Sequence, residues 1–142
     1  VSPSAQERTF RKEYAQELLG IAEQDLRTAE YLLEGLKQER IRGENYFFAV
    51  HQCLEKALKA VLIHLELPVP LVRDLGVLLA KVPRSAEPPF GYEINALSEF
   101  AAARRYEEGS LVWGAEEADE ARALGAAAVG WARGVVRPDG RS

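Results

Sequence analysis

A chain of 142 residues with a formal net charge of −4 has the size of one ordinary domain and buries roughly 70% of its unfolded surface. The acid excess argues against a protein that holds nucleic acid on a general basic surface, because such binding neutralises several phosphates with Lys and Arg. One cysteine, Cys53, cannot form an internal disulfide, and two histidines with one cysteine cannot complete a four-ligand zinc set without carboxylates, so neither metal nor cofactor is expected.

The first predicted helix runs from about Glu7 to Leu36, where Leu18, Ala22, Asp25, Ala29, Leu32 and Leu36 keep a seven-residue rhythm and Gly35 and Gly43 punctuate the end. Asp25 interrupts the stripe. Its carboxylate is expected either at the margin of the core or hydrogen-bonded inside it, because an unpaired buried charge is expensive.

The second helix, about Glu44 to Leu67, is apolar over much of its circumference, with Phe47, Val50, Leu54, Ala57, Leu58, Val61, Leu62 and Leu65 at three- and four-residue steps. This pattern places it centrally and predicts that Leu54, Ala57, Leu58 and Val61 are buried. Pro68 and Pro70 stop it. Gln52, Glu55, Lys56 and Lys59 lie on the other side, with Glu55 four residues before Lys59 in the favoured orientation of a helix ion pair. The lysines read as solvated charges on an outer face. Cys53 reads as a small buried hydrophobe. His51 shares an edge with Phe47, Leu54 and Leu58, which suits a half-buried, hydrogen-bonded residue or a catalytic imidazole. His64, close to the helix end, suits the negative end of the dipole.

A shorter helix is expected from about Leu71 to Val82, with Leu75, Leu78 and Leu79 on its apolar face and Pro83 after it. Residues 84–91 read as a loop, since Pro88-Pro89 enforces extended backbone. Ile94, Leu97, Phe100 and Ala101 then predict a helix from Glu93 to about Arg105. The last helix, about Ala115 to Val136, carries Leu124, Ala128, Trp131 and Val135, with Glu116, Glu117 and Asp119 at the end where the dipole favours acids. Gly125, Gly130 and Gly134 lower its intrinsic stability but permit close helix approach. Residues 137–142 are expected to fray.

No segment alternates with period two for long enough to predict a strand. The elements sum to an all-α single domain, an antiparallel up-and-down four-helix bundle with an additional short helix and a core over about residues 7–136. The apolar runs are short and broken by charges, so no membrane span is expected. Residues 1–12 lack the apolar stretch of a signal peptide, which points to the cytoplasm.

Four segments in this order resemble the HEPN domain family of small all-α proteins, over roughly residues 15 to 135. Ala22-Glu-Gln-Asp25-Leu-Arg-Thr-Ala29-Glu-Tyr-Leu32-Leu33 is similar to its first-helix pattern, and His51-Gln52 with Glu55-Lys56-Ala57-Leu58-Lys59-Ala60 to its core helix. Pro70-Leu-Val-Arg73-Asp74-Leu75-Gly-Val-Leu78-Leu79 is similar to its Pro, His-Asp-Leu and Leu-Leu segment, with Arg73 where a His is common. Leu97-Ser-Glu-Phe100-Ala-Ala-Ala-Arg104-Arg105-Tyr106 is similar to a stretch ending in Arg-Tyr-Pro, with Glu107 in place of the Pro.

The resemblance implies a nucleotide- or RNA-binding module, partner of a minimal nucleotidyltransferase in a toxin–antitoxin-like pair. Arg104 and Arg105 would serve phosphate and Tyr106 a stacked base. An alternative for the same residues is structural, with Arg105 paired to Asp25 or Glu55 and Tyr106 packed on the bundle end. The family's ribonuclease members place a His after an Arg with four to six residues between them, but Gly109, Ser110, Leu111 and Val112 stand at those positions after Arg104 or Arg105, and none exchanges protons as imidazole does. A ribonuclease would therefore have to combine Arg104 or Arg105 with the distant His51. A third reading is a structural oligomerisation bundle. A twofold homodimer is expected through the last helix or the region of Trp113.

Overall fold

The computed structural model describes residues 6–95, 97 and 114–137. Their architecture is the expected all-α bundle. The helices are α1 (Tyr14–Lys37), α2 (Gly43–His64), the short α3 (Leu75–Ala80) and α4 (Ala115–Val136). α2 packs against all three others, and α1 also packs on α4. This central position follows from its wide apolar arc: Leu54, Ala57, Leu58 and Val61 are all fully buried, joined by Phe47, Val50, Leu62 and Ile63.

Several boundaries differ from the periodicity, each for a local reason. α1 starts at Tyr14, because Glu7–Arg8 instead forms a short strand, β1, antiparallel to β2 (Val69–Pro70). Two residues per strand are too few for an alternating pattern to be visible in sequence. α1 and α2 end in Schellman turns. Arg40 N–H donates to Gly35 O at 2.8 Å and Glu39 N–H to Leu36 O at 3.0 Å; Leu67 N–H donates to Leu62 O at 3.0 Å and Glu66 N–H to Ile63 O at 2.9 Å. The left-handed residues of these turns are Glu39 (φ 57°) and Glu66 (φ 61°), where glycine is usual, so no glycine marked either stop. α3 starts at Leu75, about four residues later than its apolar residues suggest: the strand holds Val69–Pro70, and Asp74 then caps the helix by accepting from Val77 N–H at 3.1 Å. Of the predicted fourth helix, the described part is a 3₁₀ turn at Tyr92–Ile94 followed by helical Asn95 and Leu97; residues 96 and 98–105 lie outside the described residues.

α4 has its expected span, and one of its three glycines makes the expected close approach. A Cβ on Gly125 would stand 3.3 Å from Leu26 Cδ1 and 3.8 Å from Cys53 Sγ, whereas Gly130 and Gly134 have nothing within 4 Å of that position. Cys53 is fully buried at this contact, its Sγ 3.8 Å from Gly125 O, and burial pushes its thiol up to about 12. The other end of α4 is tied to α1 by polar groups. Glu23 Oε2 accepts from Arg133 Nε at 2.6 Å and Arg137 Nη1 at 3.1 Å, and Arg137 Nε donates to Gln16 Oε1 at 2.9 Å. Trp131 Nε1 donates to Ala86 O at 2.9 Å, which fixes the loop before Phe90.

Candidate functional site

The row His51, Glu55, Lys59 recurs every four residues on α2, and Gln52 and Lys56 form the adjoining row, so both run along one side of the helix. Glu55, Lys56 and Lys59 are not the solvated face the sequence suggested, while His51 sits at the core edge as expected. Glu55 is 6% exposed and His51 8%, and the side chains of Lys56 and Lys59 keep 24% and 18% of their accessibility. Lys59 Nζ donates to Glu55 Oε2 at 2.8 Å, as the spacing predicts. Lys56 Nζ donates to Gln52 Oε1 at 3.3 Å and stands 3.7 Å from Asp25 Oδ2 on α1. Asp25 is thus at the margin of the core, and burial raises its carboxyl above the usual range against the pull of Lys56.

His51 Nδ1 faces Glu55 Oε1 at 3.9 Å, and the ring is hydrogen-bonded to the backbone of Arg73. Burial lowers its pKa, and the opposing pull of Glu55 does not restore it, so the imidazole is neutral at pH 7. Glu55 Oε1 and Asp25 Oδ2 are buried without a hydrogen-bond partner. A neutral imidazole beside a carboxylate can exchange a proton, but the small exposure of His51 fits a hydrogen-bonded residue at the core's edge better than an open catalytic base.

A second feature lies around Phe47, near the start of α2. A cavity of about 490 Å³ is lined by Phe47, Phe90, Leu97 and Leu124, with Glu93, Glu117 and Glu120 as its charged lining among the described residues. Glu117 Oε1 caps α4 by accepting from Gly114 N–H at 3.0 Å, and Glu93 Oε1 accepts from Gly91 N–H at 2.8 Å. The volume lies within the range of small-molecule sites. No motif announced this cavity, because its walls come from three separate stretches of chain. Its only sequence signal was the apolar stripe, which reads equally well as core.

Arg104, Arg105, Tyr106 and Trp113 lie outside the described residues, in the stretch between Leu97 and Gly114. Of the sequence-derived candidates, His51 alone is therefore placed. The carboxylates suggested as partners for Arg105 have other cations beside them: Lys56 at Asp25 and Lys59 at Glu55. Among the described residues no group of three or more His, Cys, Asp or Glu side chains could hold a metal ion, and no helix is long and apolar enough to cross a membrane.

The fold and its polar seam define a class of helical bundle in which the central helix carries paired, largely buried charges beside an apolar face. The model of the HEPN domain family matches residues 15–133, and the chain belongs to that family. Comparison with curated proteins and with solved structures returned no match.

Proposed function

We propose that this HEPN protein is a nucleotide- or RNA-binding module that works beside a minimal nucleotidyltransferase in a toxin–antitoxin-like pair, as a cytoplasmic homodimer. Arg104, Arg105 and Tyr106 are its contact residues. The observation that carries this reading is the cavity: Leu97 lines it and Gly114 is capped by another of its lining residues, and the Arg-Arg-Tyr run belongs to the chain between those two residues. Its apolar walls suit a base. Its carboxylates can accept from base amino groups and ribose hydroxyls but repel phosphate, so the phosphates fall to the two arginines. Titration with adenine and uracil nucleotides and a short RNA tests this; Arg104→Ala and Arg105→Ala should weaken binding about tenfold or more. If Arg105→Ala leaves binding untouched, Arg105 is a structural ion-pair partner instead. Co-purification with a co-expressed neighbouring nucleotidyltransferase tests the partner, and sedimentation at micromolar concentration tests the dimer.

A ribonuclease reading is favoured by one observation, the 3.9 Å approach of His51 Nδ1 to Glu55 Oε1. Attack by a 2′-hydroxyl needs one group to take a proton and another to give one. At the motif the chain keeps arginine and lacks imidazole, so binding is expected to outlive cleavage. RNA degradation by the purified chain, abolished by His51→Ala or Arg105→Ala, would decide for the enzyme.

A further inference from the structure

The family match begins at residue 15, yet the nine described residues before it build an ordered strip of aromatic and cationic side chains. Arg8 is held opposite Val69 in the β1–β2 pair, and Gln6 O accepts from Leu71 N–H at 2.8 Å. At the other end the chain enters α1 through a hydrogen-bonded turn, Tyr14 N–H to Arg11 O at 2.9 Å and Ala15 N–H to Lys12 O at 3.0 Å. Between these ties Phe10 is half-buried against the core. The Arg8 guanidinium lies 4.9 Å from the Phe10 ring centroid, and Tyr14 stacks on Phe10 at 5.5 Å with 22° between the planes. Tyr14 keeps 36% of its surface exposed.

The charges around this stack are not mutually cancelled. Glu7 is drawn to Lys81 at 3.1 Å and Glu13 to Arg11 at 3.9 Å, while among the described residues no carboxylate lies within ion-pair distance of Arg8 or Lys12.

We propose that this strip is a contact site for single-stranded RNA, with a base stacked on Tyr14 and the flanking phosphates held by Arg8 and Lys12. An exposed ring beside cations on a fixed backbone is the arrangement that binds single strands without reading sequence. Arg8 is suited to phosphate because its flat face rests on Phe10 while its edge donors remain available. A bilayer is a poorer fit: Phe10 is already committed to the core, and two cations attract an anionic surface only weakly. The inference shares its ligand class with the binding reading above but uses none of the same residues.

Fluorescence anisotropy of a labelled twelve-nucleotide oligouridine with the full chain, at 50 and 200 mM salt, tests the site. Tyr14→Ala should weaken binding about fivefold or more while Tyr14→Phe retains it. Arg8→Ala and Lys12→Ala should each make the log–log salt dependence shallower by about 0.7. Unchanged thermal midpoints show that these variants fold, and ultraviolet cross-linking should map to Tyr14. If Tyr14→Ala and Arg8→Ala bind as the parent does while Arg105→Ala abolishes binding, the strip is wrong and the RNA-binding module stands. If the parent binds no oligonucleotide, the strip proposal falls, while the binding module is decided separately by the nucleotide titration. Binding to phosphatidylserine vesicles, lost in Arg8→Ala, in place of RNA binding would assign the strip to membranes and overturn the proposal.

Discussion

Glu55 is a carboxylate 6% exposed on the central helix, tolerated because Lys59 reaches it at 2.8 Å. Removing the lysine alone leaves the charge buried without its cation, so Lys59→Ala should destabilise by about 2 to 4 kcal/mol in urea unfolding, and adding Glu55→Leu should recover most of it. Leu58 is wholly buried in the same helix, and Leu58→Ala should cost about 2 to 5 kcal/mol; an unchanged midpoint would contradict the central placement of α2. His51 should titrate below the ordinary value of 6.5 when followed by NMR. The sign follows from proton linkage: the unfolded chain takes up this proton first, so His51 reduces stability as pH falls from 6.5 toward its lowered folded value, and adds no further loss below it.

Helix ends and glycines set the element scale. Glu39 and Glu66 occupy the left-handed positions of two Schellman turns, so Glu39→Gly and Glu66→Gly should each stabilise by about 0.5 to 1 kcal/mol in thermal or urea melts. Within α4, Gly130→Ala and Gly134→Ala should each add about 0.5 to 1 kcal/mol of helix propensity, because a new methyl meets nothing within 4 Å. Gly125→Ala should not share that gain, since its methyl would press on Leu26 at 3.3 Å in a packed contact. Equal stabilisation by all three substitutions would show that α4 does not depend on the small residue for its approach to α1 and α2.

At the scale of the whole molecule, Glu23 joins α1 to the end of α4 through two arginines. Burial acts to raise its carboxyl, but the hydrogen bonds from Arg133 and Arg137 outweigh it and hold the pKa below 4.5. A depressed carboxylate stabilises the fold fully above its unfolded value and loses that contribution as pH falls through the folded one. Glu23→Gln should therefore lower stability by about 1 kcal/mol at pH 7, with the difference from the parent shrinking below pH 4.5. The order of helices, the central place of α2, the span of α4 and the family were legible in the sequence, because the three-to-four-residue recurrence of apolar groups is itself the condition for burying one side of a helix. Periodicity is silent about partners. That Lys56 stands against Asp25 of α1, that Glu7–Arg8 leaves the helix to pair with Val69–Pro70, and that Phe47, Phe90, Leu97 and Leu124 line one cavity were decided by tertiary structure, since each depends on which distant segment packs alongside.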